Sequence, residues 1–267
     1  MGDSTGKSAG SHPMVPDLRG RVRAGESLVG TWLTLIDPSV AELLAGSGYD
    51  FLVVDMEHGV ADAEHLLSLC IAARAGGAAV LARIGANEPV RIMHALDVGA
   101  AGVIVPQIRT VADSERAAAW CRYPPAGLRG AAGRRSSDYG RHAKEYFASA
   151  NATVLCCIQI ETREALEALD GILAVPGVDA LLIGPNDLAA ALGHLGDTGH
   201  SDVEVAIAGI RERAIAVGMP IGIVSASPDP AAAVARREQG FSFVTVGGDV
   251  PFLAASADAA LGAVRGE

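Results

Sequence analysis

The sequence predicts an α/β protein of the (β/α)8 barrel class, also called the TIM barrel. Eight short and almost entirely apolar segments alternate with helical patterns, and a chain of 267 residues has the size of such a barrel, roughly 250 residues. Strands that are apolar at nearly every position are typical of a parallel sheet with both faces covered. A doubly wound sheet is the alternative, but no Gly-x-Gly-x-x-Gly motif follows the first strand, which disfavours a dinucleotide-binding fold.

Each predicted strand is an apolar run that stops at a turn or a polar residue. In chain order the predicted strands are Leu28–Leu33, Phe51–Val54, Ala79–Arg83, Gly102–Val105, Val154–Ile160, Ala180–Ile183, Pro220–Val224 and Phe243–Val246. The helices between them are predicted from capping residues and prolines at their starts, and from apolar side chains spaced three and four residues apart. They are Ser39–Ala45, Asp62–Ala75, Glu88–Leu96, Val111–Cys121, Arg163–Leu173, Val203–Val217, Pro230–Glu238 and Pro251–Val264.

Two segments fall outside this alternation. Arg122–Ala152 is rich in arginine, and structureless segments of this length are uncommon in compact domains and often functional. Residues 1–15 carry no apolar stretch, so we predict a disordered leader there rather than a signal peptide. A single barrel domain is predicted to follow over residues 16–267.

Composition excludes several classes of function. Half of the residues are apolar and 19% are charged, which excludes intrinsic disorder. A net charge of −10 without any basic run argues against nucleic acid as a partner, and no apolar run reaches the ~20 residues of a membrane span. The four cysteines form no Cys-x-x-Cys pair, so we interpret them as core residues, and free thiols without an export signal predict a cytoplasmic protein.

Polar residues stand at the carboxyl ends of the predicted strands, where barrel enzymes place their catalytic groups. Taken singly, each has a structural explanation, since an aspartate there is often a helix cap and an arginine an ion-pair partner. Taken together on one rim, they indicate an active site. They are Asp55, Glu57 and His58 after the second strand, Arg83 after the third, Gln107 after the fourth, Gln159 and Glu161 on the fifth, Gly184, Pro185, Asn186 and Asp187 after the sixth, Ser225 after the seventh, and Gly247, Gly248 and Asp249 after the eighth.

Glu161 and Asp187 end adjacent predicted strands, so their carboxylates can converge on one point. Two carboxylates with no thiol nearby form a hard oxygen site, which suits Mg²⁺ or Mn²⁺ rather than structural Zn²⁺. Two protein ligands leave positions open for water and for a chelating substrate.

The remaining rim residues fit roles around such a metal ion. The segment Gly184, Pro185 and Asn186 precedes a helix, so backbone N–H groups there can hold a substrate carboxylate. Arg83 can face the developing oxygen of an enolate. His58, with Asp55 near it, has the chemistry of an oriented general base.

The stretches that carry these residues resemble the HpcH/HpaI aldolase family of metal-dependent class II pyruvate aldolases, which includes 4-hydroxy-2-oxoheptanedioate and 2-dehydro-3-deoxyglucarate aldolases. No single stretch is specific, but together they run in order over nearly the whole chain. They are Phe51–Gly59 (FLVVDMEHG), Val80–Arg83 (VLAR), Leu96–Ala100 (LDVGA), Val103–Gln107 (VIVPQ), Arg122–Gly130 (RYPPAGLRG), Ile158–Thr162 (IQIET), Ile183–Leu188 (IGPNDL) and Phe243–Asp249 (FVTVGGD).

The resemblance implies a carbon–carbon lyase that cleaves a 4-hydroxy-2-oxo acid reversibly to pyruvate and an aldehyde, through a metal-stabilised pyruvate enolate. It implies a divalent metal on Glu161 and Asp187, namely Mg²⁺ or Mn²⁺ or else Co²⁺, with pyruvate chelating it. Arg83 is then expected on the enolate oxygen and His58 as the base, with Asp55 as the partner of His58.

The resemblance also implies supporting residues and an assembly. Gln159 is expected to contact the metal shell or pyruvate, and Asp97 to contribute near a neighbouring subunit's site. A homohexamer, built as a trimer of dimers, is implied, with the last helix exchanged between neighbours. This chain departs from the family at Gly248, where serine is usual.

Two other functions stay open from the sequence. The same metal enolate can serve biosynthesis with a keto acid or an acyl thioester, or the decarboxylation of oxaloacetate, and the acceptor is not fixed by these residues. A non-catalytic binding subunit would be expected to lack at least one principal site residue. All four of these residues are present, namely His58, Arg83, Glu161 and Asp187. Lys7 and Lys144 are the only lysines and lie in the leader and the long segment, which disfavours a Schiff-base aldolase.

Overall fold

The computed structural model describes residues 16–225 and 227–266, which contain eight parallel strands. The strands are β1 (Leu28–Leu33), β2 (Phe51–Asp55), β3 (Ala79–Arg83), β4 (Gly102–Val105), β5 (Leu155–Ile160), β6 (Ala180–Ile183), β7 (Ile221–Ile223) and β8 (Phe243–Gly248). Each strand pairs with the next one along the chain, and β1 pairs with β8 to close the barrel. The predicted (β/α)8 barrel is confirmed, and the predicted leader over 1–15 lies outside the described residues.

Helices follow the strands and cover the outside of the barrel. In chain order they are α1 (Leu18–Arg23), α2 (Pro38–Gly46), α3 (Ala63–Gly76), α4 (Pro89–Asp97), α5 (Val111–Cys121), α6 (Ala143–Thr153), α7 (Arg163–Glu167), α8 (Leu169–Leu173), α9 (Pro185–Leu192), α10 (Ser201–Ala216), α11 (Pro230–Glu238) and α12 (Asp249–Arg265). The helix predicted over Arg163–Leu173 is divided in two, because the backbone of Ala168 (φ −91°, ψ 4°) leaves the helical region.

Two of these helices, α1 and α6, were not predicted from the sequence, and α9 was expected only as a helix of unstated length after Gly184, Pro185 and Asn186. The side chain of Asp17 caps α1 by accepting a hydrogen bond from the N–H of Gly20. Helix α9 has only eight residues, and Pro185 occupies its first turn. Helix α6 lies in the segment between α5 and β5, so the expectation that this segment lacks secondary structure is wrong for its second half.

A buried arginine explains why that segment is ordered. Nη2 of Arg129 lies 2.7 Å from Oδ1 of Asp97, at the end of α4. The guanidinium also stands 4.5 Å from the ring centroid of Tyr123 and donates to the hydroxyl of Tyr146 in α6. Part of the basic excess in the segment is therefore structural. Asp97, expected to contribute near a neighbour's site, has this partner within its own chain.

Alternate side chains of each strand fill the barrel interior and the layer beneath the helices. In β2, Phe51 belongs to the interior cluster, whereas Leu52 packs in the outer one. The ring of Phe51 meets the ring of Phe243 edge-on, with 6.3 Å between centroids. Gly30 makes room for this ring, because a Cβ there would lie 2.2 Å from it. The strands are therefore apolar at both alternating positions, as the sequence pattern indicated.

The cysteines behave as core residues, as predicted. All four are free and buried. Burial raises the pKa of Cys70 to about 12, so this thiol stays protonated at neutral pH. Within residues 16–225 and 227–266, we find no helix whose length and hydropathy would suffice to cross a membrane.

A buried carboxylate ties α1 and the end of α5 to the amino-terminal end of the barrel. Asp179 directly precedes β6, and its side chain is fully buried. Its oxygens accept from Nε of Arg19 at 2.8 Å, from Nη2 of Arg122 at 2.5 Å and from the backbone N–H of Cys156 at 2.9 Å. Because Arg122 is itself buried, removal of the carboxylate would leave an unpaired charge in the protein interior.

We therefore expect Asp179→Ala to lower the free energy of unfolding by about 3–5 kcal/mol, as for other broken buried ion pairs. Urea unfolding followed by circular dichroism measures this loss. The matched control is Asp170→Ala, since Asp170 pairs with Arg213 but its side chain is 84% exposed, and such surface pairs contribute about 0.2–1 kcal/mol. An equal loss of unfolding free energy in the two variants would contradict the role of Asp179 as the partner of a buried charge.

The last helix makes little contact with its own barrel. Of the 17 residues of α12, only Asp249 is buried. Leu253, Leu261 and Val264 are 64%, 49% and 86% exposed, respectively. Apolar residues exposed along one helix mark an interaction surface more often than a free one.

Candidate active site

The carboxyl ends of the strands open into a cavity of about 290 Å³. A second cavity, of about 460 Å³, shares Asp187 with the first and is lined by Glu161. All residues that the sequence analysis gave a catalytic, metal or substrate role line one of the two cavities except Asp97, and of the other rim residues Glu57 and Ser225 line neither. The residues with such a role on the first cavity are Asp55, His58, Arg83, Gln159, Gly184, Pro185, Asn186 and Asp187.

Glu161 is held in place by amide groups. Only 1% of the residue is exposed, and it directly follows β5. Its Oε1 accepts from the backbone N–H of Gln107 at 2.7 Å and from the Gln107 side-chain amide at 3.2 Å, and its Oε2 accepts from the amide of Gln159. Burial raises the pKa of Glu161 to about 7; the N–H of Gln107 opposes this rise, and the charge of Asp187 adds to it. The partly buried carboxylate of Asp187 therefore repels the buried carboxylate of Glu161.

The donors around this pair fit a hard divalent cation. A cation between Glu161 and Asp187 would relieve their repulsion, and carboxylate oxygens are ligands that Mg²⁺ and Mn²⁺ prefer. A third carboxylate lies close, since Glu57 adds to the negative charge acting on Glu161. Oε1 of Gln159 is buried and has no hydrogen-bond partner among the described residues, and Oε2 of Glu57 has none but lies 3.5 Å from Nε of Arg83. Gly184 gives the necessary space, because a Cβ there would lie 2.8 Å from Oε2 of Glu161.

Arg83 is fixed by Asp55 and Trp32. Nε of Arg83 donates to Oδ1 of Asp55 at 3.0 Å, and Nη2 donates to Oδ2 at 2.5 Å. The guanidinium carbon stands 4.4 Å from the ring centroid of Trp32. Burial works against ionisation of Asp55, but Arg83 and two backbone N–H groups outweigh it and hold the pKa of Asp55 below its usual value. The guanidinium therefore faces the cavity in one orientation.

Asp55 is not the partner of the His58 ring that the sequence analysis expected. Its contact with His58 is through the backbone, whose N–H lies 3.2 Å from Oδ1 of Asp55. The carboxylate oxygens are committed to the Arg83 guanidinium, which approaches from the paired position on β3. Asp55 therefore shapes the turn that carries His58. Gly59 completes that turn, because a Cβ there would lie 2.2 Å from the carbonyl oxygen of Asp55.

Helix α9 presents its N-terminal end to the first cavity. Gly184 occupies the N-cap position, where no side chain satisfies the first N–H groups, and Pro185 follows in the first turn. Asn186 and Asp187 line the cavity within that first turn. N–H groups without a capping side chain bind anions well, so the arrangement fits the predicted substrate-carboxylate role.

Gln107 was predicted on the rim, but the sequence analysis gave it no role in the site. It has φ of 54°, in the left-handed region that residues other than glycine rarely adopt. This conformation directs its N–H at Glu161. The sequence places Gln107 at a strand end, but nothing in it signals the unusual backbone angle.

Trp32 also belongs to the site, and it gives Gly248 a structural reason. Nε1 of Trp32 donates to Oγ1 of Thr245 at 2.9 Å, which holds the ring under Arg83. A Cβ on Gly248 would lie 3.1 Å from the Cβ of Trp32 and 3.3 Å from its carbonyl oxygen. The glycine at this position therefore allows close packing of Trp32 against β8.

Comparison with known proteins agrees with this geometry. Residues 28–255 match the sequence model described as HpcH/HpaI aldolase/citrate lyase. The chain is 41% identical to a 2-dehydro-3,6-dideoxy-6-sulfogluconate aldolase of Pseudomonas putida, over 89% of this chain and 92% of that one. It is 38% identical to a 5-keto-4-deoxy-D-glucarate aldolase of Shigella boydii, over 90% and 93% of the two chains.

A solved structure shares the fold over almost the same extent. An HpcH/HpaI aldolase/citrate lyase family protein of Burkholderia cenocepacia superimposes with a TM-score of 0.88 at 39% identity, over 93% of this chain and 98% of that one. The resemblance seen in the sequence is confirmed, and this chain, an aldolase and hence a carbon–carbon lyase, belongs to the HpcH/HpaI aldolase/citrate lyase family.

Proposed function

We propose that this aldolase cleaves a 4-hydroxy-2-oxo acid reversibly to pyruvate and an aldehyde, with a divalent metal ion held by Glu161 and Asp187. The observation that carries the proposal is the buried carboxylate of Glu161 beside the partly buried carboxylate of Asp187, with a guanidinium held by Asp55 on the same rim. When bound, Mg²⁺, Mn²⁺ or Co²⁺ would supply a Lewis acid that polarises the 2-oxo group of the substrate.

The residues of the chain then have separate tasks. The N–H groups at the start of α9 hold the carboxylate next to the 2-oxo group. Arg83 faces the 2-oxygen, where negative charge develops as the C3–C4 bond breaks. An imidazole nitrogen of His58 removes the proton of the 4-hydroxyl, so that C4 leaves as an aldehyde. Asp55 and Trp32 keep Arg83 in position, and Gln107 and Gln159 keep Glu161 in position.

The relatives suggest which aldehydes to test first. Their names specify oxo acids derived from sugars, one carrying a sulfonate and the other two carboxylates. We propose hydroxylated short-chain aldehydes with an acidic group as the first candidates for this chain. The test is a metal-supplemented condensation of pyruvate with a panel of aldehydes, read by the mass of the product. Absence of any pyruvate-containing product across the panel would contradict the aldolase proposal.

The same assay, extended to other acceptors, distinguishes the aldol reaction from the biosynthetic alternative. Keto acids and acyl thioesters as acceptors, and oxaloacetate as a decarboxylation substrate, use the same residues up to the enolate. Turnover of these compounds at higher kcat/KM than of any aldol substrate would favour that alternative. The non-catalytic alternative is disfavoured because Glu161, Asp187, Arg83 and His58 are all present and gathered on one rim.

We further propose the homohexamer, a trimer of dimers, with α12 exchanged between neighbours. The exposed apolar side chains of α12 support this, since a helix that stays with its own barrel is expected to bury them. In that assembly Asp97 would lie near a neighbour's site, with Arg129 holding its carboxylate. A single domain over 16–267 and a cytoplasmic location complete the proposal, the latter supported by four free cysteines.

We expect the double variant Leu253→Asp/Leu261→Asp to lose the hexamer, because charges on α12 would face an apolar surface of the neighbour. Light scattering coupled to gel filtration measures the mass. Val217→Asp is the control, since Val217 is similarly exposed, at 62%, but lies beyond α10. Deletion from Pro251 onward is expected to give insoluble protein, because the barrel would lose its cover. If the unaltered chain is a stable and active monomer, the proposed exchange of α12 between subunits is wrong.

A further inference from the structure

Two histidines and an aspartate form a cluster between α9 and α10, away from both cavities. Nε2 of His194 lies 3.0 Å from Oδ2 of Asp202, and Nδ1 of His200 lies 3.7 Å from the same oxygen. The two imidazole rings stack with 3.5 Å between centroids and 15° between planes. One ligand atom from each of the three residues lies within 4.8 Å of the other two.

The local backbone fixes both ends of this cluster. Helix α9 ends at Leu192 and is capped by Gly193, whose φ of 93° is in the left-handed region, so the chain at His194 turns back toward the following helix. His200 is the N-cap of α10, and its Nδ1 accepts the N–H of Asp202 at 3.2 Å. Both histidines lie between the last residue of α9 and the first residue of α10, outside any helix or strand, so no periodic pattern in the sequence connects them.

We propose that His194, His200 and Asp202 form a second metal site, which takes a transition-metal ion such as Zn²⁺, Co²⁺ or Ni²⁺. Imidazole suits these ions, whereas the carboxylates of the active site suit Mg²⁺ and Mn²⁺. Nitrogen and oxygen ligands lie about 2.0–2.2 Å from Zn²⁺, so ligand atoms around one ion are about 3–4 Å apart. The separations of 3.0 and 3.7 Å already fall in this range.

Binding requires both imidazole rings to turn and one hydrogen bond to be given up. Stacked rings aim their nitrogens in parallel, so each imidazole must rotate about its χ2 torsion, which is broad for histidine. Nδ1 of His200 must also release the N–H of Asp202, because its single lone pair cannot accept that hydrogen bond and bind the ion at the same time. The ion would replace the proton shared by His194 and Asp202. Side-chain exposures of 24% for His194 and 34% for His200 leave one side of the cluster open for water ligands.

The position of the cluster gives such an ion a structural effect. Helix α9 carries Asp187 in its first turn and His194 just beyond its last. With eight residues at about 1.5 Å each, roughly 12 Å of helix separates its two ends. An ion on His194, His200 and Asp202 would therefore anchor the far end of the helix that carries a catalytic carboxylate, and would join it to α10.

The test uses the full chain with the variant pair Glu161→Gln/Asp187→Asn, so that the active site does not compete for the ion. Isothermal titration with Zn²⁺ is expected to show one equivalent per chain, and Co²⁺ is expected to give visible absorption bands of an imidazole site. Adding His194→Ala or His200→Asn should weaken Zn²⁺ binding by more than the roughly 10–100-fold that loss of an outer-shell partner causes. His200→Asn keeps a side chain that can cap α10, so a folding defect is avoided.

His65→Ala is the matched control, because His65 forms a similar exposed pair with Asp62 at 2.8 Å but has no second imidazole. It is expected to leave Zn²⁺ affinity and the Co²⁺ spectrum unchanged. The proposal is independent of the aldolase mechanism. It is overturned if the Glu161→Gln/Asp187→Asn protein binds no Zn²⁺, or if His194→Ala and His200→Asn both bind Zn²⁺ as tightly as that protein does.

Discussion

Glu161→Gln and Asp187→Asn are each expected to abolish tight Mn²⁺ binding and to lower kcat for aldol cleavage by about 10³-fold or more. A Lewis acid contributes several kcal/mol of charge stabilisation, and each 1.36 kcal/mol corresponds to a factor of ten. Either variant removes one of the two carboxylates that are proposed to hold the ion. Electron paramagnetic resonance of free Mn²⁺ measures the binding, and pyruvate release measures the rate. Chelation of the unaltered protein should have the same effect, and Mg²⁺ or Mn²⁺ should restore activity.

The control for the loss of a carboxylate is Glu204→Gln, because Glu204 pairs with Arg236 on the outer helices and touches neither cavity. Gln at 161 preserves shape in a position that is 1% exposed, so the fold should be retained, as circular dichroism can verify. Full activity after exhaustive chelation would exclude a metal-dependent aldolase. Unchanged Mn²⁺ affinity in both variants would place the ion elsewhere.

The sequence predicts the barrel and the rim for a common physical reason. Strands buried on both faces must be apolar throughout, so the point at which a polar residue first appears also marks the strand's carboxyl end. Arg83, Glu161 and Asp187 were found in this way, and each lies where a barrel gathers its catalytic groups. The predicted ends of the strands lie within two residues of the observed ends, because the apolar runs are short and sharply bounded.

The apolar pattern of the strands does not predict which side chains contact each other. His58 lies three residues from Asp55 in sequence, whereas Arg83 lies on the neighbouring strand, and only the strand register shows that Asp55 and Arg83 are opposite each other. The left-handed backbone of Gln107 and the stacking of His194 on His200 likewise depend on tertiary geometry. The sequence predicts a helix after Asn186 but not its extent, because the eight residues of α9 give too few turns for a periodic pattern.

Arg83→Ala is expected to damage aldol cleavage, exchange of the pyruvate C3 protons and oxaloacetate decarboxylation alike, by about 10²–10³-fold in kcat. All three reactions develop negative charge on the same pyruvyl oxygen, which Arg83 is proposed to face. His58→Ala is expected to lower aldol cleavage by about 10²–10⁴-fold but to spare decarboxylation, because loss of CO₂ needs no base. The ratio of the decarboxylase to the aldolase rate in each variant distinguishes the two roles.

The geometry also predicts that Arg83→Lys will not restore full activity. The guanidinium donates through two nitrogens to Asp55 and stacks on Trp32, and a lysine ammonium cannot reproduce either contact. Asp55→Asn should resemble Arg83→Ala in its effect on all three reactions, because Asp55 holds Arg83 rather than the ring of His58. If His58→Ala instead lowers decarboxylation and aldol cleavage equally, His58 is not the base for the 4-hydroxyl, and its task is to position the pyruvyl part common to both substrates.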